Sequence, residues 1–361
     1  MGRALRPTVS RFPLALSADI GLIFNPIAIW LEPKLRKPPH PVIIDCHNHL
    51  GVDPYFYLNS YHPYAQDLPQ MVTEGRHCGV DRWVVFPMVN NLSFDLEAMR
   101  RKEIVPGGLE AVPYAFENER MFQEIYELYP DLGAHTIPFA ILDPMREPAA
   151  QLAKLRELRL RYPFYGLKIQ PTMIQSDVEA LLTTGRGFLE FAAEFDLPFI
   201  IHSSVDPADT WAQATSILKV AEATPDVRFC LAHSCRYDRE CLDRVAALPN
   251  TWFDCSAHRI HCDCAVKGFP NIAPPERRFD ADYSNPAAVL LALAEAYPTK
   301  LIWGSDTPFQ SYVDNTMSLR STYAEEAACL DALPPALHRV VTCDNLLNLL
   351  QLKDGNPLAL G

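Results

Sequence analysis

From Val42 onward, short apolar or β-branched runs alternate with longer segments whose apolar residues recur at helical spacing. Eight runs read as strands: Val42 to His49 (VIIDCHNH), Arg82 to Met88 (RWVVFPM), Thr136 to Asp143, Tyr165 to Gln170, Pro198 to Ser203, Val227 to Ser234, Thr251 to Ser256 and Leu301 to Asp306 (LIWGSD). Between them the pattern predicts helices over Glu119 to Tyr129, Pro148 to Arg161, Asp177 to Phe195, Pro207 to Ala223, Arg239 to Leu248 and Pro286 to Ala296, with His338 to Leu352 closing the set. Strand and helix in strict alternation point to the α/β class, either a (β/α)8 TIM barrel or an open doubly wound sheet. The polar residues decide between them. His47, His49, His202, His233 and Asp306 all fall at the C-terminal ends of their runs, and only a barrel gathers strands so distant in sequence at one mouth. We therefore expect a (β/α)8 barrel domain over residues 41–361 preceded by an N-terminal extension, residues 1–40.

Composition narrows the functional classes. At 48% hydrophobic and 21% charged, the chain can bury a large core, which excludes disorder. Thirty-two prolines outnumber 15 glycines, and no glycine array suited to cradling phosphates is present. Pro87, Pro144, Pro171, Pro207 and Pro308 fall at or beyond strand ends, and Pro148, Pro198 and Pro286 at element starts. A net charge of −12, with the acids scattered, argues against nucleic acid as a partner. Ten cysteines without a regular framework, several inside apolar runs (Cys46, Cys230, Cys255), fit a reducing, cytoplasmic setting. Residues 12–31 (FPLALSADIGLIFNPIAIWL) are apolar but broken by Asp19, Asn25 and Pro26. They read as an extension packed on the domain, with a signal or anchor as the alternative, and their apolarity leaves a homodimer open. A small-molecule substrate is the expected partner, with no membrane.

The candidate chemistry starts at Asp45-Cys46-His47-Asn48-His49. Alternate residues of a strand share a face, so His47 and His49 should project together while Cys46 and Asn48 face the outer layer. Two histidines so spaced are a weak signal alone; His202 and Asp306 at matching strand ends strengthen it. Three neutral imidazoles and a carboxylate around an open position suit one divalent ion, Zn first, with Mn, Fe or Co as alternatives. Such an ion makes hydroxide available at neutral pH. Asp306 is placed to accept the proton, and His233 to orient the water or to act as acid and base. Lys168 either pairs at the mouth, binds a substrate carboxylate or, carboxylated, bridges a second metal. Arg236 suits a substrate carboxylate or a surface ion pair. The Cys- and His-rich stretch 254–264 reads as a loop over the mouth, with His258, Arg259 or His261 touching substrate; a structural or second metal and ordinary loop packing are the alternatives. Phe86, Met88, Phe139, Trp211, Trp303 and Phe309 flank the strand ends and suggest an apolar or aromatic substrate ring.

IIDCHNHLG, IIHS, LAHS, WGSDTPF and VVTCDNLLNLL together resemble the amidohydrolase superfamily, in its amidohydrolase-related (type 2) branch, which also holds decarboxylases of the aminocarboxymuconate-semialdehyde type. The resemblance runs from residue 42 to 352 in the family's order. It implies a TIM barrel, one divalent metal held by His47, His49, His202 and Asp306, and His233 as a catalytic residue. Binuclear relatives carry a carboxylated lysine at the place of Lys168. The expected activity is metal-dependent hydrolysis of an amide, lactone or related ester. The alternatives are non-oxidative decarboxylation of an aromatic or unsaturated acid, and a non-catalytic metal scaffold.

Overall fold

The computed structural model describes residues 42–351, except 63, 90–94, 96, 99–100, 102, 104, 106–111 and 314–316. The N-terminal extension expected over residues 1–40 lies outside the described residues, as does Leu352.

All eight apolar runs form strands. In chain order they are β1 (Ile44–Val52), β3 (Arg82–Pro87), β4 (Thr136–Ile141), β5 (Gly166–Ile169), β6 (Phe199–Ile201), β7 (Phe229–Leu231), β8 (Thr251–Asp254) and β9 (Leu301–Ile302), and a two-residue strand β2 (Ala65–Gln66) pairs antiparallel with β1. The sheet order is β2-β1-β3-β4-β5-β6-β7-β8-β9, parallel from β1 to β9. The segment after β9 returns to β1 and closes the sheet. Cys46 N donates to Trp303 O at 3.1 Å, Asp306 N to His47 O at 2.9 Å and His49 N to Thr307 O at 2.9 Å, and Asn48 bridges Thr307 in parallel. The result is the (β/α)8 barrel.

Strand alternation sorts the core into two layers. Val84 and Phe86, Ile137 and Phe139, Ile200 and Cys230 pack in one cluster inside the barrel. Their neighbours Val85, Ala140, Leu167, Phe199, Ile201 and Phe229 pack outward against the helices. Each fully buried aromatic or branched side chain contributes about 1.5–3 kcal/mol of transfer free energy. Leu346, Leu349 and Leu350 of the helix Asn345–Leu350 join the inner cluster. Asn345 Nδ2 anchors that helix, donating to Pro298 O at 2.9 Å and Leu301 O at 2.8 Å.

Pro148–Arg161 and Pro286–Ala296 are helical over the predicted spans, each with proline in the first turn, where a missing amide costs nothing. Two predicted helices are shorter. Asp177 to Phe195 divides into a 3-10 turn, Val178–Leu182, and the helix Arg186–Phe195. At the break, Gly185 lies so close to Pro144 that a Cβ would meet its carbonyl oxygen at 2.7 Å. Pro207 to Ala223 is helical only over Ala214–Ala223. There Asp209 Oδ1 accepts from Trp211 N at 3.1 Å and Ala212 N at 3.3 Å, holding a turn in place of the first helical turns. Among the described residues no helix is long and apolar enough to cross a membrane.

Helix Tyr323–Ala328, opened by a Thr322/Glu325 capping box, carries Glu326 into the interior beside the backbone amide of Arg259. Burial pushes its carboxyl up to about 8, against 4.5 for the free group. The native state therefore holds this proton more tightly than the unfolded chain. Its stabilising contribution is complete below pH 4.5 and is lost as the pH rises toward 8. Glu326→Gln, which mimics the protonated form, is expected to raise stability at pH 8 by roughly 4 kcal/mol and to change it little at pH 4.5. Melting curves at the two pH values measure the difference; a variant less stable at pH 8 would contradict it.

Candidate metal centre and substrate pocket

The pairing of β1 with β3 slips by one residue between Asp45 and Asn48. This bulge is the physical reason that simple alternation fails there: Cys46, expected on the outer layer, packs in the inner cluster with Ile44. Asn48 faces outward, donating to Asp45 O at 3.3 Å and Val84 O at 3.0 Å. His47 and His49 converge all the same, ring centres 5.3 Å apart. Gly304 makes the closure behind them feasible, since a Cβ there would meet His47 Cβ at 2.9 Å.

Asp306 completes the group. Its Oδ1 lies 3.3 Å from His47 Nε2 and 3.2 Å from His49 Nε2, and its backbone is left-handed at φ 67°. These three are the one cluster among the described residues whose ligand atoms all lie within metal-binding reach of one another, and all are buried. Burial, then the Lys168 charge, lowers the pKa of both imidazoles, so they stay neutral as ligands must. Burial pushes the Asp306 carboxyl up to about 6, with His47 and Lys168 opposing. The residues fit a divalent cation: His49 Nε2 is buried and completes no hydrogen bond although a carboxylate oxygen lies 3.2 Å away. His47 in turn commits Nδ1 to Asp254 Oδ2 at 3.0 Å, the kind of carboxylate contact that orients an imidazole whose other nitrogen faces a cation.

His202 is not in that cluster. Its Nδ1 lies 2.9 Å from His233 Nε2, and its Nε2 accepts from Arg236 Nη2 at 3.1 Å. His233 Nδ1 meets Ser256 Oγ at 2.9 Å and stands 3.9 Å from Asp306 Oδ2. His202, His233, Arg236, His261, Asp306 and Phe309 line one cavity of about 410 Å³ at the barrel mouth. Arg236 reaches it through an unusual backbone. His233 to Tyr237 all have positive φ, between 46° and 64°, a left-handed turn that costs about 1–2 kcal/mol per residue. Tertiary bonds hold it: His233 N to Asp254 Oδ1 at 3.0 Å, Arg236 Nε to Ser203 O at 2.8 Å, Ala273 N to Arg236 O at 3.0 Å.

Other expectations need correction. Lys168 lies wholly buried below the cavity, Nζ 3.0 Å from His47 Nε2 and 4.3 Å from the Phe86 ring centre, with burial lowering its pKa to about 8. It makes no part of the cavity wall. The stretch expected as a loop over the mouth is instead largely the helix His258–Lys267. Ala257, Ile260, His261 and Cys264, spaced at helical period, face the cavity; His258 and Arg259 do not. His258 is tied to Tyr237 Oη at 3.0 Å and Pro286 O at 2.8 Å, and Arg259 pairs with Glu325 at 3.6 Å. Of the six flanking apolar residues, Phe309 lines the cavity and Phe86 sets its edge against His47 and His49; Met88, Phe139 and Trp303 are core, and Trp211 lies outside the lining. The wall includes residues not singled out in the sequence, notably Phe56, Tyr312 and Met173. Asp254 was missed as well, although an acid at a strand end matches the pattern that flagged Asp306.

A family model described as Amidohydrolase matches residues 44–345. No curated protein matches the sequence. Among solved structures, the chain is similar to a probable 2-pyrone-4,6-dicarboxylic acid hydrolase from Acinetobacter baumannii with citric acid bound (TM-score 0.52, 16% identity, covering 86% of this chain and 99% of that one). It is also similar to an uncharacterized TIM-barrel protein from Bordetella bronchiseptica (TM-score 0.53, 14% identity, 86% and 98%) and to IDCase from Metarhizium anisopliae in apo form (TM-score 0.50, 13% identity, 86% and 97%). At these identities the likeness is one of fold. The family model, by contrast, runs from β1 into the terminal helix and takes in His47, His49 and Asp306: the chain belongs to the amidohydrolase family.

Proposed function

We propose that the chain is a metal-dependent hydrolase that opens an amide, lactone or related ester of a small carboxylated substrate with an apolar or aromatic ring. One observation carries the reading: a buried carboxyl raised to about 6, Asp306, stands between two neutral histidines and a cavity whose wall holds a guanidinium. His47, His49 and Asp306 would hold the ion, with His202 at the adjoining wall. A divalent cation there supplies Lewis acidity, lowering the pKa of a water toward neutrality.

The protein's own groups do the rest. Arg236 spends three of its five N–H donors on Ser203 O, His202 and His261, which leaves one on each terminal nitrogen for a substrate carboxylate. Phe56, Phe309 and Tyr312 offer ring faces and edges to the substrate body. Asp306 takes the proton as water oxygen bonds to the acyl carbon, and returns it to the leaving nitrogen or oxygen as that bond breaks. His233, bonded to His202 and near Asp306, holds His202 in place at the cavity wall. The relative whose printed name is a pyrone dicarboxylic acid hydrolase, with citric acid bound, is consistent with carboxylate recognition on this fold.

Arg236 also favours a second reading, non-oxidative decarboxylation, in which the carbon–carboxylate bond breaks and Asp306 protonates the ring carbon. Zinc-loaded protein offered lactone and aryl dicarboxylates separates the two: acid release without carbon dioxide supports hydrolysis, and stoichiometric carbon dioxide supports the alternative. Arg236→Lys is expected to raise KM for carboxylated substrates about 10- to 100-fold with a smaller change in kcat, because a point charge replaces a planar fork. An unchanged KM would remove Arg236 from substrate recognition.

A further inference from the structure

Asp254 ends β8 with its carboxylate sealed from solvent between the two halves of the site. Oδ2 lies 3.0 Å from His47 Nδ1. Oδ1 receives three hydrogen bonds, from His233 N at 3.0 Å, Ser256 N at 3.0 Å and Ser256 Oγ at 2.6 Å. Two of these donors are backbone amides, which cannot reverse role. A carboxyl met by so many donors is a carboxylate, so the contact with His47 has the imidazole donating. The His47 hydrogen then sits on Nδ1, and the lone pair of Nε2 accepts from Lys168 Nζ at 3.0 Å, with Asp306 Oδ1 3.3 Å away.

Ser256 carries the logic to the other half. Its hydroxyl hydrogen is spent on Asp254, so toward His233 Nδ1, 2.9 Å away, its oxygen can only accept; Ser256 O, 3.1 Å from the same nitrogen, also accepts. His233 is therefore the Nδ1–H form, with its Nε2 lone pair turned to His202 Nδ1. Arg236 reaches the same assignment from the far end. A guanidinium only donates, so His202 accepts at Nε2 and bears its hydrogen on Nδ1, ready to donate to His233. The two deductions meet without contradiction.

We propose that Asp254 is a positioning residue that fixes the tautomers of two site histidines, His47 directly and His233 through Ser256, so that the Nε2 lone pair of His47 turns to the His47–His49–Asp306 cluster and that of His233 to His202. The value of this to a ligand rests on the metal reading above; the tautomers are properties of the metal-free chain. Asp254→Asn separates the halves. Its amide oxygen must stay on the two backbone amides, so its NH2 turns to His47 and forces that ring into the Nε2–H form, while His233 keeps its own.

The test is the long-range 1H–15N spectrum of the metal-free full chain labelled in histidine, together with zinc affinity by competition with a chromophoric chelator. Wild-type protein should show Nδ1–H on both His47 and His233. Asp254→Asn should move His47 alone to Nε2–H and weaken zinc binding about 10- to 100-fold. Nε2–H on either ring of the wild type overturns the proposal, and that spectrum decides even where the variant fails to fold. A variant that loses thermal stability while tautomers and zinc affinity stay put also overturns it, leaving Asp254 purely structural. Expected tautomers in a wild type that binds no zinc would uphold the proposal and sink the metal reading instead.

Discussion

Asp306→Asn is expected to lower kcat by roughly 10²- to 10⁴-fold, the range set by loss of a general acid–base group, while leaving the fold intact. The backbone at this position is left-handed, φ 67°, and asparagine is among the few side chains that accept that conformation readily. Its amide has the shape of the carboxyl, so the amide hydrogen bond from Asp306 N to His47 O survives. What disappears is the negative charge between His47 and His49 and the proton acceptor facing His233 at 3.9 Å. Turnover of a substrate found in the screen above, read beside a melting curve, gives the answer. A rate within threefold of wild type would remove Asp306 from the chemistry.

Chelator treatment should abolish turnover, and Zn or Mn should restore it. His49 Nε2 is buried without a hydrogen bond, and His47 Nε2 has one donor, Lys168 Nζ at 3.0 Å. A cation there would take these nitrogen lone pairs and the Asp306 carboxylate, displacing Lys168 from His47. Binding therefore also shows as stability: a ligand at 100 times its Kd adds about 2.7 kcal/mol, several degrees in Tm for a domain of this size. Activity and Tm that both survive exhaustive chelation would contradict the metal site.

The barrel and its ligand-bearing strand ends were legible because two simple periods govern them: alternation along strands, and polar residues confined to one end of each. Prolines opening Pro148–Arg161 and Pro286–Ala296 placed those helices by their own missing amides. What stayed hidden depends on contacts between distant segments. The helix His258–Lys267 was obscured because its polar histidines and cysteines alternate between a polar cavity and a polar interior, so no apolar stripe marks it. The left-handed turn at His233 to Tyr237 has no glycine to announce it; its clamps come from Asp254, Ser203 and Ala273. Hence the joining of His202 to Arg236 could not be read from spacing, whereas Asp254 carried the same strand-end signal as Asp306.

The barrel seam has a consequence for how the molecule is made. His47 and His49 lie on the first strand and Asp306 follows the last, and the hydrogen bond from Ser305 N to Asp45 Oδ1 spans 260 residues of chain. On a ribosome the opening strand must therefore wait for Asp306 until nearly the whole domain has emerged, although Lys168 and Asp254, the other partners of His47, appear earlier. Loop closure of that length makes the final docking slow compared with local helix formation. A metal ion captured across the seam would act as a latch on the finished ring, so that nascent or truncated chains ending before β9 stay outside the pool able to hold it.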